Sequence, residues 1–221
     1  MKKLLSASLM CADLTDLKPA IAQLEDAKID YLHMDVMDGA FVPNITLGFD
    51  LINAVKKSTS IPLDVHMMVN EPGRFIDRME LSADDIICVH YESDVHIHRT
   101  LEMIKNKGCR VGLAINPQTP VESIKYLTEY IDMLLVMTVS PGFAGQKMFL
   151  GAKKKVQDAR KLLDEAGLRN VPIEVDGNIN LENGKSMCES GAEIFVLGTS
   201  ALFLKDKAIK AAAEDFKNFL G

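Results

Sequence analysis

A chain of 221 residues, 48% of them hydrophobic, can build one sizeable core without disulfides. Its formal net charge of -6 excludes the basic footprint of a nucleic-acid binder, and no apolar run approaches the roughly 18 residues of a membrane span. Cys11, Cys88, Cys109 and Cys188 show neither close pairs nor a zinc-type spacing, and Cys88 and Cys109 lie in or beside apolar runs as small core residues do. The N-terminal MKKLLSASLM has only a weak leader character, broken early by Ser8, so a cytoplasmic protein is expected.

Short apolar runs and amphipathic stretches then alternate. A strand is expected in LLSASLM from Leu4, followed by a helix over Leu17 to Ala27. Strands follow in YLHMDV from Tyr31 and LDVHMMV from Leu63, with a loop around Pro72. The strand IICVH from Ile86 precedes a second loop over Glu92 to Arg99 and a helix over Thr100 to Lys107. VGLAIN from Val111 and MLLVMTV from Met133 are the next strands. Lys153 to Ala166 is a helix with Val156, Ala159, Leu162 and Leu163 on one side and Gly167 as its stop. The strand VPIEVD from Val171, a helix over Glu182 to Ser190 and the strand IFVLG from Ile194 complete the series. Near-continuous apolar runs suit parallel strands covered on both faces. The eightfold rhythm, with no linker, predicts a single α/β domain over residues 1–221, a (β/α)8 TIM barrel. No glycine fingerprint follows the first strand, which disfavours a doubly wound open sheet.

In such a barrel the chemistry sits at the carboxyl ends of the strands. Ser8, His33, Asp35, His66, His90, Asn116 and Asp176 fall there. Residues two apart on a strand share a face, so His33 pairs with Asp35, Asp64 with His66, and Glu174 with Asp176. His33, Asp35, His66 and Asp176 form a mixed imidazole–carboxylate set suited to zinc, manganese, iron or cobalt. Spacing does not separate Asp64 from Asp35 as a ligand; Asp64 can instead hold a histidine ring from behind. For any one of these residues the plain alternative is a hydrogen-bonded core group.

A second site is expected for phosphate. SPGFAGQ at 140–146, EVDGN at 174–178 and VLGTS at 196–200 follow neighbouring strands. Gly142, Gly145, Gly177 and Gly198 let backbone N–H groups approach an oxyanion, Thr199 and Ser200 add donors, and tight turns are the alternative. Met37, Met68 and Met137 lie near the same ends, where a thioether lines a pocket or merely packs.

These strings taken together resemble the ribulose-phosphate 3-epimerase family over essentially the whole chain. The motifs are SASLMCADL (6–14), HMDVMDGAFVPNITLG (33–48), LDVHMMV (63–69), GLAINPQTP (112–120), MTVSPGFAGQ (137–146), EVDGN (174–178) and VLGTSALF (196–203). The resemblance implies a TIM barrel of the ribulose-phosphate-binding type that epimerises carbon 3 of a ketose phosphate. It implies one divalent ion per subunit, zinc foremost, with manganese, cobalt or iron as alternatives. It gives His33, Asp35, His66 and Asp176 as ligands, and Asp35 and Asp176 as the proton-transfer pair. It assigns Ser8 and His66 to substrate, and Met37, Met68 and Met137 as caps over the reacting carbons. Gly142, Phe143, Ala144, Gly145, Gly177, Asn178, Gly198 and Thr199 match the phosphate cradle, with the Asn178 amide able to reach the phosphate. The implied partners are a small ketose phosphate and further copies of the chain, not nucleic acid or membrane. Ala7, GFAG, DGN and Gly198-Thr199 depart from the ribulose-phosphate pattern. With SLMC and MTV they lean toward the six-carbon relative acting on D-allulose 6-phosphate; ribulose 5-phosphate is the alternative, and a noncatalytic sugar-phosphate barrel a distant third.

Overall fold

The computed structural model describes residues 3–221, so Met1 and Lys2 of the N-terminal segment lie outside the described residues. Among the described residues nine strands form: β1 (Leu4–Ser8), β2 (Tyr31–Asp38), β3 (Ile45–Thr46), β4 (Leu63–Met68), β5 (Ile86–His90), β6 (Arg110–Ile115), β7 (Met133–Met137), β8 (Ile173–Asp176) and β9 (Ile194–Leu197). Eight of them pair in parallel in the order β1-β9-β8-β7-β6-β5-β4-β2, and β1 pairs back onto β2, which closes the barrel. The two-residue β3 runs antiparallel to the end of β2 and makes a hairpin over the barrel mouth.

Alternation along each strand divides the core into two layers. On β2, Leu32, Met34 and Val36 face outward into the layer beneath the helices, as do Leu63, Val65 and Met67 on β4. Tyr31, Ile86, Cys88, Met133, Leu135 and Ile194 face inward and fill the barrel's lower interior. Burying each large aliphatic or aromatic side chain contributes about 1.5–3 kcal/mol. Above that apolar floor the inward positions turn polar, and this change is what creates a site.

Among the described residues six α-helices cover the sheet: α1 (Leu17–Asp26), α2 (Phe49–Ser58), α3 (Ile97–Lys107), α4 (Ala152–Glu165), α5 (Leu181–Glu189) and α6 (Ile209–Leu220). The four helices read from the sequence are present within a few residues. Two are additional. In α2 only Ile52 and Val55 are buried, and Gly48 provides no side-chain cap. In α6 the buried face is half alanine, Ala212 and Ala213 beside Phe216 and Leu220, which weakens its apolar period. The connections after β4 and β6 carry short 3-10 turns, Pro72–Arg74 with Ile76–Arg78 and Val121–Ile124 with Thr128–Tyr130, where the eightfold pattern expects α-helices.

Asp85 anchors the amino-terminal end of the barrel, opposite the polar positions. Its carboxylate accepts from the Leu63 N–H at 2.8 Å, the Ser82 N–H at 2.7 Å and hydroxyl at 2.9 Å, and Lys56 Nζ at 2.7 Å. Burial works against its charge, but these donors outweigh burial and lower its pKa. The stabilisation is therefore complete above the ordinary carboxylate range and is lost as pH falls through that range toward the lowered folded value. Asp85→Ala should cost about 2–4 kcal/mol in denaturant unfolding at neutral pH, with the loss shrinking in acid.

Candidate active site

β2 and β4 lie side by side with Asp35 opposite His66, while Asp176 ends β8 on the far wall. The inward turn of these positions brings one ligand atom each from His33, Asp35, His66 and Asp176 within 4.8 Å of one another. His33 Nε2 lies 3.2 Å from His66 Nδ1 and 3.3 Å from an Asp35 oxygen. His66 Nδ1 lies 3.5 Å from Asp35 Oδ1 and 3.8 Å from Asp176 Oδ2. The four side chains expected to converge do so, from the three strands β2, β4 and β8.

The opposite nitrogen of each ring is already engaged. His33 Nδ1 meets Asp64 Oδ2 at 2.5 Å, and Ser6 Oγ donates to the same oxygen at 3.2 Å. Asp64 thus stands behind the histidine. His66 Nε2 meets His90 Nε2 at 2.8 Å. With both outer nitrogens engaged, the inner ones turn toward a shared point that two carboxylates also face. Two imidazole nitrogens and two carboxylates are a fitting donor set for a divalent cation of the zinc, manganese, iron or cobalt type.

Burial is the leading effect on His33, Asp35, Asp176 and Glu174, and the neighbours reverse it for the first two. It opposes charge on His33, but Asp64 and Asp35 overcome it and raise the imidazole pKa well above its usual value. It opposes charge on Asp35, but His33 and His66 hold that carboxyl below the usual range. Asp176 moves the other way, to about 6, because burial and the negative Asp35 and Asp64 prevail over the two histidines. Glu174 is raised well above normal by burial, with Asp64 adding to the shift. Among the described residues, both Glu174 oxygens and Asp64 Oδ1 are buried without a hydrogen-bond partner.

A pocket opens above these groups. Ser8 lines it, with its hydroxyl donating to Asp35 Oδ2 at 2.7 Å. Met37, Met68 and Met137 also line it, with Met37 and Met68 directly paired across β2 and β4. Met10 and Cys11 join the lining from the turn after β1, a contribution not read from the sequence although the SLMC string contains both. The far side is made by Gly142 to Gly145, Gly177 with Asn178, and Gly198 with Thr199, so the three glycine turns do share one wall. Among the described residues, no backbone carbonyl takes the N–H of Gly177, Asn178 or Gly198. Gly177 has φ +118°, and a Cβ there would lie 2.5 Å from Val139 Cγ2. Asn178 differs from expectation: its amide donates to the Gln146 carbonyl at 2.7 Å and ties two of the turns together. Its left-handed backbone, φ +52°, leaves the N–H as what it offers an anion. Asn44 reaches from the β2–β3 hairpin and donates to the Gly142 carbonyl at 3.0 Å, so that hairpin closes one edge of the pocket.

Residues 4–203 match the ribulose-phosphate 3-epimerase family. The chain belongs to that family. It is 41% identical over 207 residues to a ribulose-phosphate 3-epimerase of Bacillus subtilis (strain 168), covering 94% of this chain and 95% of the relative. It is 39% identical over 216 residues to a chloroplastic ribulose-5-phosphate-3-epimerase of Arabidopsis thaliana, covering 95% of this chain and 76% of the relative. Among solved structures, a phosphoribosyl anthranilate isomerase from Thermus thermophilus superposes with a TM-score of 0.65 at 13% identity, over 98% of this chain and 98% of that one. That likeness carries the fold alone. This family member is an isomerase of the carbohydrate-phosphate 3-epimerase type. Its His33→Ala variant should lose the divalent ion that elemental analysis of the parent chain, purified without chelator, is expected to find.

Proposed function

We propose that this epimerase interconverts D-ribulose 5-phosphate and D-xylulose 5-phosphate, with Asp35 and Asp176 moving the proton at carbon 3. The supporting observation is the meeting of two carboxylates from different walls, β2 and β8, at the base of a pocket whose far side is built from three glycine turns. A substrate anchored by its phosphate at those turns lays its carbonyl end over His33 and His66.

Inversion requires one group to remove the carbon-3 proton and another to return a proton from the opposite face. The C–H electron pair becomes the double bond of an enediolate, with negative charge on the carbon-2 oxygen, and reprotonation at carbon 3 restores the ketone. A divalent cation held by His33, Asp35, His66 and Asp176 supplies Lewis-acid polarisation of the ketose oxygens when bound. The chain itself presents the two carboxyls in unlike states. Against its burial, the pKa of Asp35 is lowered by His33 and His66, whereas burial raises that of Asp176 to about 6, so the two carboxyls differ in their affinity for a proton. The roles exchange in the reverse direction. Ser8 fixes the Asp35 carboxylate through its 2.7 Å hydrogen bond. Met37, Met68 and Met137 keep water from the reacting carbon without offering it a competing proton.

The five-carbon substrate takes precedence over the six-carbon one because the relatives above carry ribulose-phosphate names. One observation favours D-allulose 6-phosphate as a second reading: Cys11, Ala144, Asn178 and Thr199, where the chain departs from the ribulose-phosphate pattern or follows the six-carbon one, all line the pocket.

Asp35→Asn and Asp176→Asn should each lower kcat by about 10²–10⁴-fold with the circular-dichroism spectrum unchanged. Near-parental turnover in either would remove the two-carboxyl mechanism. Incubation with each ketose phosphate in deuterated water, followed by proton NMR, should show deuterium entering carbon 3. The higher kcat/KM is expected on the five-carbon sugar; a preference for the six-carbon sugar would transfer the assignment to the second reading.

A further inference from the structure

His66 owes its ring orientation to a chain of groups that never reach the pocket. Its Nε2 faces His90 Nε2 at 2.8 Å. The ring centroids are 5.0 Å apart and the planes differ by 24°. That centroid distance is close to the nitrogen spacing plus the two ring radii, so the nitrogens meet edge to edge. One must donate and the other accept.

Glu92 decides which. His90 Nδ1 lies 3.3 Å from Glu92 Oε2. The other oxygen, Oε1, accepts the Asn116 N–H at 2.9 Å and the Thr119 hydroxyl. Lys155, reaching across from α4, grips the carbonyls of Asn116 and Thr119 and holds that loop in place. A backbone N–H cannot reverse its direction, so the Glu92 atom beside it must be an acceptor. A carboxylate has two acceptors, and the second is turned to His90. His90 therefore carries its hydrogen on Nδ1 and offers a lone pair from Nε2. His66 donates from Nε2, and its Nδ1 is left bare toward Asp35 and Asp176.

We infer that His90 and Glu92 are positioning residues that set the tautomer of His66 and so hold Nδ1 open to a cation. The inference rests on the reading of His66 as a ligand. Asp64 plays the equivalent part behind His33 through one contact; the His66 side uses a relay of two residues and extends to a different wall of the barrel.

Glu92→Gln tests this with almost no change in shape. The amide must keep its oxygen toward the Asn116 N–H, which turns its NH₂ toward His90 Nδ1. Both rings are then forced to the opposite tautomer, and the hydrogen of His66 moves onto the nitrogen that should bind. His90→Leu breaks the relay outright. His90→Gln keeps an acceptor for His66. Zinc affinity, measured on the full chain by competition with a chromogenic chelator, should fall about 10–100-fold in Glu92→Gln and in His90→Leu and stay close to the parent in His90→Gln. Nitrogen-15 NMR of histidine-labelled, zinc-stripped protein should place the His66 hydrogen on Nε2 in the parent and on Nδ1 in Glu92→Gln, a change that loose packing would not produce. Parental zinc affinity in both Glu92→Gln and His90→Leu, or an unmoved hydrogen in Glu92→Gln, would overturn the relay and leave the ligand reading intact. Zinc affinity unaltered by His66→Ala would overturn the ligand reading and the relay with it.

Discussion

The constraint on which this molecule depends is the burial of charge inside a closed barrel. Isolated carboxylates taken out of water cost several kcal/mol each, and the upper half of this barrel holds several. Two of them are answered directly: Asp35 by Ser8 and His33, and Asp64 by Ser6 and His33. What remains unanswered is the point where two imidazole nitrogens approach within 3.2 Å with carboxylates around them. Two imidazoles and two carboxylates converging there are a donor set that fits a divalent cation.

The barrel separates stability from chemistry along its axis. Below, the interior is apolar and Asp85 ties β4 to the connection before β5. Above, inward positions are taken by buried polar groups such as His33, Asp64, His66 and Glu174. The structure tolerates this because the outward layer of each strand, from Leu32 to Leu197, stays continuously apolar beneath the helices.

Much of this was legible in the sequence because parallel strands buried on both faces write themselves as unbroken apolar runs. A polar residue near the end of such a run has few explanations. That is why His33, Asp35, His66 and Asp176 could be named as a group. The elements that escaped are those whose signal is faint: α2, with two buried anchors, and α6, with alanines on its inner face. Side-chain direction escaped as well. Asn178 was expected to give its amide to a phosphate, and tertiary contact with Gln146 claims it instead. His90 was visible at a strand end, but its bond to His66 depends on cross-barrel geometry that no spacing encodes. The substrate's length was the least legible feature, since the motif departures pointed to six carbons and the named relatives point to five.

The tie between Asn44 and Gly142 makes the hairpin and the glycine turn one mechanical unit. Departures such as Ala144, Asn178 and Thr199 sit on that rim, while the carboxyls and imidazoles sit on rigid strands beneath it. Substitution can thus redraw the rim of this scaffold while leaving the buried floor of imidazoles and carboxyls untouched.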